Sequence, residues 1–186
     1  MNIENAVKNG ETFDGLKIIK FNIFRDERGF FAERYHEPRL ADLGIQETFV
    51  QDNHSRSKPS VVRGLHIQYN KPQGKLVGVI RGSIYDVAVD LRPRSKTFGQ
   101  YFGIELSDSN GFMLWIPPGF AHGFCVLGKE MADVHYKVTA PYNPAGETGI
   151  VWNDPDLNIH WPLTEPPLVS LKDKNLSKMT QFSIPH

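Results

Sequence analysis

Short apolar runs separated by Gly, Pro and Asn recur along the whole chain. Within SIYDVAVDL, Val87 and Val89 alternate with Asp86 and Asp90, which is the period of two expected for a β-strand. One run, EPRLADLGI, suits a short helix. Many strands with brief connections predict an all-β sandwich or barrel and disfavour alternating βαβ units. The runs interpreted as strands are LKIIKFNIF, SVVRGLHIQ, KLVGVIRG, SIYDVAVDL, YFGIEL, FMLWIP, HGFCVL and DVHYKVT.

The chain length suits a single hydrophobic core, so we predict one domain over residues 1–186. No repeat, low-complexity tract or linker interrupts it. The stretch WNDPDLNIHWPLTEPPLVSLKDKN is rich in Pro and weakly periodic. We therefore predict an irregular segment that lies over the barrel, together with short peripheral helices.

The charge balance limits the classes of partner. Lys plus Arg equals Asp plus Glu at 21 each, so no net basic field would collect nucleic acid or an anionic membrane. Neither a leader peptide nor a membrane-spanning run is evident, and we expect a cytoplasmic protein. Cys125 is the one cysteine, which rules out an internal disulfide. Its apolar setting in HGFCVL predicts a buried, inert thiol.

Polar side chains concentrate between residues 51 and 75. If VVRGLHIQ is one regular strand, His66 and Gln68 share a face, whereas Arg63 lies on the other. Such a cluster of imidazole, amide and cationic groups is the best candidate for a site in this sequence. Its members are Gln51, Asn53, His54, Arg56, Arg63, His66, Gln68 and Lys75.

The segment WIPPGFAHGF supplies Pro117, Gly119 and His122 in the order Pro-x-Gly-x-x-His, a turn that delivers a histidine onto a strand. This order resembles the second motif of the cupin superfamily. The resemblance implies a jelly-roll β-barrel, which in many cupins holds a metal ion.

The first cupin motif has the form His-x-His, then Glu, then Gly. Here the matching positions hold His66, Gln68, Lys75 and Gly82. An ammonium group offers donors only and repels a divalent cation, so Lys75 opposes a metal at this position. The sequence therefore resembles a cupin barrel in which acid–base side chains replace the metal, and we expect neither a metal nor a cofactor.

A closer resemblance covers most of the chain. In family order, the segments RDERGFFAERY, FVQDNHSRS, VVRGLHIQ, QGKLVGVIRGSIYDVAVDLR, LWIPPGFAHGFCVL and WNDPDLNIHWPL resemble the dTDP-4-dehydrorhamnose 3,5-epimerase family. The resemblance implies that His66 is the catalytic base, that Asp173 in SLKDKN is its acidic partner, and that Tyr136 in HYKVT is the general acid. It also implies a dTDP-sugar substrate. The implied substrate contacts are Arg28, Glu33, Gln51, Asn53, Arg63, Lys75, His122, Glu147 and Lys172.

These residue types suit the implied chemistry. Inverting a carbon next to a ketone needs a base on one face, a proton donor on the other and a group that stabilises the enolate. A histidine titrates near working pH and suits the base, oriented by Asp173. Tyr136 shares a strand face with Val134 and Val138 and should point into the barrel. Lys75, with Arg63, would stabilise the enolate.

Other features have ordinary explanations or remain open. Arg28 and Lys172 are the best-matched cations for a diphosphate, whereas His54, His135 and His160 are interpreted as structural.

The resemblance implies a homodimer in which N-terminal strands pair across the interface, which would bring Arg28 to the partner's site. Three alternatives stay open: a single-centre epimerase, a metal-dependent cupin enzyme, and a non-catalytic sugar-nucleotide binding protein.

Overall fold

The computed structural model describes residues 1–183. Two short helices, α1 (Glu37–Asp42) and α2 (Leu171–Lys174), accompany the strands, with 3₁₀ turns at Pro144–Gly146 and Met179–Gln181. The strands are β1 (Asn2–Lys8), β2 (Glu11–Lys20), β3 (Ile23–Asp26), β4 (Gly29–Ala32), β5 (Gln51–Ser57), β6 (Val61–Gln68), β7 (Lys75–Arg81), β8 (Ser83–Asp90), β9 (Tyr101–Ser107), β10 (Phe112–Ile116), β11 (Phe120–Val126), β12 (Ala132–Val138), β13 (Glu147–Gly149) and β14 (Leu168–Val169).

Two antiparallel sheets face each other. The first has the order β1-β2-β10-β7-β12-β5 and the second the order β13-β6-β11-β8-β9, with β14 parallel to β6. Apart from the β8–β9 pair, each connection from β5 to β13 crosses from one sheet to the other. This alternation is the architecture of a jelly roll. It confirms the predicted all-β fold, although the barrel consists of two apposed sheets and not of one closed ring.

The main hydrophobic core lies between the sheets. Phe13, Leu114 and Val134 reach it from the first sheet, and Ile84 and Phe124 from the second. Each such side chain stabilises the fold by about 1.5–3 kcal/mol relative to exposure. Cys125, the one cysteine of the chain, is fully buried, and its burial raises the pKa of the thiol to about 12. A thiol with so high a pKa is inert, as the sequence predicted.

A second apolar layer covers the outer face of the first sheet. Here α1 packs Leu40 against a cluster that includes Ile19 and Trp115. The helix begins at an N-cap, His36, whose ring nitrogen accepts from the backbone N–H of Arg39. Helix α1, stabilised by this cap, confirms the helix predicted in EPRLADLGI. None of the helices within residues 1–183 is both long and apolar enough to span a bilayer.

The C-terminal segment is more ordered than predicted. Instead of being irregular throughout, it contains β14, whose Leu168 and Val169 pair in parallel with Val61 and Val62 of β6, and α2 directly after it. A strand of two residues is too short to show a detectable periodicity in a Pro-rich sequence. Upstream of β14, Trp161 and its neighbours pack on the outer face of the second sheet.

Candidate active site

A cavity of about 340 Å³ lies between the two sheets at one end of the jelly roll. The first sheet contributes side chains from β5, β7 and β12, and the second from β6, β11 and β13. Eight of the twelve residues predicted for the site line this cavity. The lining residues are Gln51, Asn53, Ser55, Arg63, His66, Gln73, Lys75, His122, Gly123, Phe124, Tyr136, Tyr142 and Glu147.

Strand β6 is irregular where it meets the cavity. Gly64 has a φ of +108°, and a Cβ there would lie 2.6 Å from the Cα of Gly123 on the neighbouring strand β11. Only glycine tolerates this backbone conformation and this close approach. The β6–β11 register also shifts at this point. As a result Arg63 and His66 both line the cavity, and the expectation of opposite faces, which assumed one regular strand, was wrong.

His66 forms a hydrogen bond with a buried carboxylate. Its Nε2 atom lies 2.7 Å from Oδ1 of Asp173, whose side chain is 5% exposed. The other carboxylate oxygen accepts from the backbone N–H of Gly64 at 3.2 Å. Burial alone would raise the pKa of Asp173, but the bonds to His66 and Gly64 outweigh it and lower the pKa. An ionised Asp173 therefore fixes the proton on Nε2 and leaves the Nδ1 lone pair of His66 for a ligand.

The short C-terminal elements position this carboxylate. Because β14 pairs with β6, α2 begins beside the strand that carries His66. Ser170 caps α2, with its Oγ accepting from the N–H of Asp173 at 3.0 Å. Two elements that pattern analysis did not detect therefore hold Asp173 under the imidazole, and the flanking lysines did not make it a surface charge.

Tyr136 and Lys75 project from the first sheet, opposite the wall that carries His66. Burial raises the pKa of the Tyr136 phenol, which is therefore protonated at neutral pH and can donate. Burial also lowers the pKa of Lys75 to about 8, while Glu147 and Asp86 oppose that shift. Lys75 thus carries its charge at neutral pH in a poorly solvated place, where an anionic oxygen would be bound strongly.

A second histidine–carboxylate pair lies next to the first. His122 on β11 is paired in register with His66 on β6, so the two imidazoles are cross-strand neighbours. The Nε2 atom of His122 lies 2.8 Å from Oδ1 of Asp86, which is fully buried. Burial lowers the pKa of His122, against the opposing effect of Asp86, so the ring is neutral at neutral pH. Asp86 was not among the residues predicted for the site, although the alternation in SIYDVAVDL places it on the polar side of its strand.

The loop after β12 closes one side of the cavity. The hydroxyl of Tyr142 donates to Oε2 of Glu147 at 3.0 Å, and Lys172 bonds the same oxygen. Oε1 of Glu147 lies 4.0 Å from Nδ1 of His66. The side chain of Gln68, predicted on the same face as His66, holds this loop through the carbonyl of Pro141 at 3.2 Å. Tyr142 was another residue that the sequence analysis missed, because nothing in PYNPAGE marks it as a ligand contact.

Three predicted contacts lie away from the cavity lining. Arg28 is at the tip of the β3–β4 hairpin, where its 84% exposed side chain pairs with Asp26 at 2.6 Å. Glu33 follows the hairpin and bonds Arg39. Lys172 lies at the rim of the cavity on α2, bonded to Glu147. Within residues 1–183 of one copy, the hairpin pairs with no strand of either large sheet, so Arg28 and Glu33 are not brought to the cavity.

The donor set in the cavity does not fit a divalent cation. Both histidines have their Nε2 atoms occupied by carboxylates, and an ammonium group lies in the same cavity. Within the described residues, 1–183, no three His, Cys, Asp or Glu side chains form a metal-binding group.

Sequence comparison places the chain in a family. The model of the dTDP-4-dehydrorhamnose 3,5-epimerase family matches residues 11–181. The chain belongs to this family. Its members are isomerases that epimerise a carbohydrate, as the sequence predicted.

Individual relatives agree with the family match. The dTDP-4-dehydrorhamnose 3,5-epimerase of Methanothermobacter thermautotrophicus is 49% identical over 166 residues, covering 88% of this chain and 89% of that protein. The enzyme of the same name from Neisseria gonorrhoeae is 51% identical over 158 residues and 85% of this chain. The chain covers only 48% of the length of that relative.

A solved structure extends the agreement to the fold. The dTDP-6-deoxy-D-glucose-3,5-epimerase of Legionella pneumophila, in complex with dTDP-4-keto-L-rhamnose, superposes with a TM-score of 0.91 at 46% identity. The match covers 98% of this chain and 95% of that one. The cupin-type jelly roll predicted from sequence is thereby confirmed.

Proposed function

We propose that this epimerase inverts C3 and C5 of dTDP-4-dehydro-6-deoxy-D-glucose to give dTDP-4-dehydro-L-rhamnose, without a metal or cofactor. One observation supports this proposal above the others. His66, bonded to Asp173, and Tyr136 project from opposite sheets into one cavity. An imidazole on one wall and a phenol on the other are the two groups that a proton abstraction and an opposite-face reprotonation require.

The stereochemistry of the substrate suits this arrangement. In a gluco-configured chair, the hydrogens on C3 and C5 are both axial and lie on the same face of the ring. A base on one wall can therefore remove either proton, and an acid on the other wall can return it with inversion. His66 would take the proton on Nδ1, the nitrogen that Asp173 leaves free, and Tyr136 would donate its phenolic proton.

The enolate formed at C4 needs positive charge. Lys75 lines the cavity with its ammonium group poorly hydrated, and Arg63 lines it too. Neither side chain is in an ion pair with a carboxylate among residues 1–183. An unpaired cation that is preorganised in a poorly solvated place, as Lys75 is, stabilises a developing oxyanion strongly. We therefore assign Lys75 to the enolate oxygen, assisted by Arg63.

We propose that a second copy of the chain contributes to binding the nucleotide end of the substrate. At the cavity rim, Lys172 supplies a charge for the diphosphate. The β3–β4 hairpin exposes Phe24, Phe30 and Phe31, which are 59%, 59% and 69% exposed, beside Arg28. An exposed aromatic cluster of this kind marks an interaction site. We propose a homodimer, acting in the cytoplasm, in which this hairpin brings Arg28 to the partner's substrate.

The decisive experiment is incubation with dTDP-4-dehydro-6-deoxy-D-glucose in heavy water, followed by NMR at C3 and C5. Deuterium at both positions with inverted product supports the proposal, and deuterium at one position indicates a single-centre epimerase. Absence of exchange would refute it. Activity that is lost on exhaustive chelation would instead favour a metal-dependent cupin enzyme.

Variants test the assigned roles in the same assay. We expect His66→Ala to abolish exchange and Tyr136→Phe to slow product formation more than proton removal. His54→Ala is the matched control, because this histidine is half exposed and pairs with Asp133 outside the cavity lining. Wild-type turnover in His66→Ala would show that the base is another residue.

A further inference from the structure

We propose that Asp86 is a positioning residue for the epimerisation, holding His122 in the tautomer whose Nδ1 lone pair accepts a hydrogen bond from a sugar hydroxyl. The inference rests on the proposed function. It adds a residue that neither the motifs nor the substrate contacts implied by the family had included.

The geometry of the pair determines the tautomer. The single polar contact of the Asp86 side chain within residues 1–183 is the 2.8 Å bond to Nε2 of His122. A carboxylate only accepts, so the imidazole must donate from Nε2. A neutral ring that donates from Nε2 has its lone pair on Nδ1. Because His122 lines the cavity, Nδ1 is the ring nitrogen left for a ligand.

The same arrangement occurs twice on one wall. His66 and His122 are register partners on β6 and β11, and each uses Nε2 to bond a buried carboxylate. The two imidazoles therefore offer their Nδ1 atoms as neighbouring acceptors. One faces the acidic C–H that the reaction removes. The other suits a hydroxyl on an adjacent carbon of the sugar, and such a contact would fix the orientation of the sugar ring relative to His66.

Asp86 is poorly satisfied as a structural residue. Its second oxygen, Oδ2, is buried and has no hydrogen-bond partner among the described residues. A buried carboxylate with an unpartnered oxygen destabilises the folded state, so a purely structural explanation is weak. Asp90, four residues further along the same face of β8, shows the contrast. Its carboxylate is also fully buried, but accepts bonds from Arg92, Ser95 and Thr97 at 2.6–2.9 Å.

This contrast supplies a matched pair of variants. In Asp86→Asn the amide can donate to Nε2, which moves the ring proton to Nδ1 and removes the acceptor from the cavity. We expect kcat/KM to fall about 10- to 100-fold, as for other partners that orient a histidine, while the melting temperature stays at or above the wild-type value. In Asp90→Asn we expect the reverse, with a lower melting temperature and unchanged kcat/KM.

A spectroscopic measurement separates this inference from the proposed function. Nitrogen-15 NMR of the full chain, with the His122 signals assigned by their loss in His122→Asn, should show an Nε2-protonated ring in the wild type and a changed tautomer in Asp86→Asn. A wild-type ring protonated on Nδ1 would overturn the inference, as would wild-type kcat/KM in Asp86→Asn. If the wild-type chain itself fails to exchange C3 and C5 protons, the proposed function fails, whatever the tautomer.

Discussion

Replacing Asp173 by Asn tests the bond on which the assignment of the base depends. The substitution conserves shape, so the amide oxygen, in the place of the carboxylate Oδ2, can still accept from the N–H of Gly64, as Oδ2 does at 3.2 Å. The amide then presents its NH₂ group to Nε2 of His66. The imidazole can accept that donor only by moving its own proton to Nδ1, the nitrogen that must act as the base.

The expected loss follows from the bond that is removed. A hydrogen bond to a charged group contributes about 1.5–3 kcal/mol, and at about 1.4 kcal/mol per factor of ten this corresponds to a drop in kcat of about 10- to 150-fold. The tautomer change can add to this, since the equivalent Asp-to-Asn exchange in a serine protease triad lowers kcat by about 10⁴-fold. We therefore expect kcat for Asp173→Asn to lie between these limits.

The assay is deuterium incorporation at C3 and C5 alongside steady-state turnover, with thermal unfolding measured in parallel. Asp154→Asn is the matched control, because Asp154 is also buried in the C-terminal segment but accepts backbone bonds remote from the cavity, such as that from Met179 N–H at 2.9 Å. It should lower stability and leave kcat unchanged. If Asp173→Asn kept a kcat within about twofold of wild type while folded, the orienting role of the carboxylate would be refuted.

Two further predictions concern the ammonium group and the hairpin. Because burial lowers the pKa of Lys75 to about 8 and only its protonated form stabilises the enolate, kcat/KM should fall as the pH rises through about 8. In Lys75→Arg the residual activity should persist to higher pH, and a wild-type profile that stays flat to higher pH would contradict the assignment. Replacing Phe30 and Phe31 together by Ser should convert a dimer to a monomer in analytical ultracentrifugation, with loss of turnover, whereas Phe98→Ser, an exposed aromatic site between β8 and β9, should leave both unchanged. A dimer that survives the double change would show that the hairpin is not the interface.

Much of the fold follows from the apolar pattern, and what was missed has physical reasons. The strands with apolar faces were detectable because one side of each must be buried. Strand β5, QDNHSRS, was not, since it lies at the edge of the first sheet and, among the described residues, pairs only with β12. Its polar side chains serve the cavity and the solvent. Periodicity reveals strands with one buried apolar face, so a strand whose side chains line a polar cavity is overlooked.

The site itself was predictable only in part. His66, Lys75 and Tyr136 could be placed together because each lies on a predicted strand within a recognisable motif. Asp86 was not predicted because an acidic residue on the polar face of a strand is usually interpreted as exposed to solvent. That face points into the barrel, where it meets His122. The position of Arg63 was wrong for a different reason, since a local register shift cannot be read from side-chain alternation.

The arrangement of charge in the cavity explains how a neutral chain can bind and stabilise anions. Positive and negative residues are equal in number over the sequence, but Glu147, the carboxylate in the cavity lining, is bonded to Lys172. Asp173 and Asp86 lie buried behind the two imidazoles, and each is hydrogen-bonded to one of them. Lys75 and Arg63 line the cavity itself. Under the proposed function, a substrate would meet two imidazoles on one wall, each bonded through Nε2 to a buried aspartate. Around the position of its ketone it would meet cations that form no ion pair within residues 1–183. If the proposed roles hold, the cations stabilise the enolate more than the ketone, and that difference lowers the barrier.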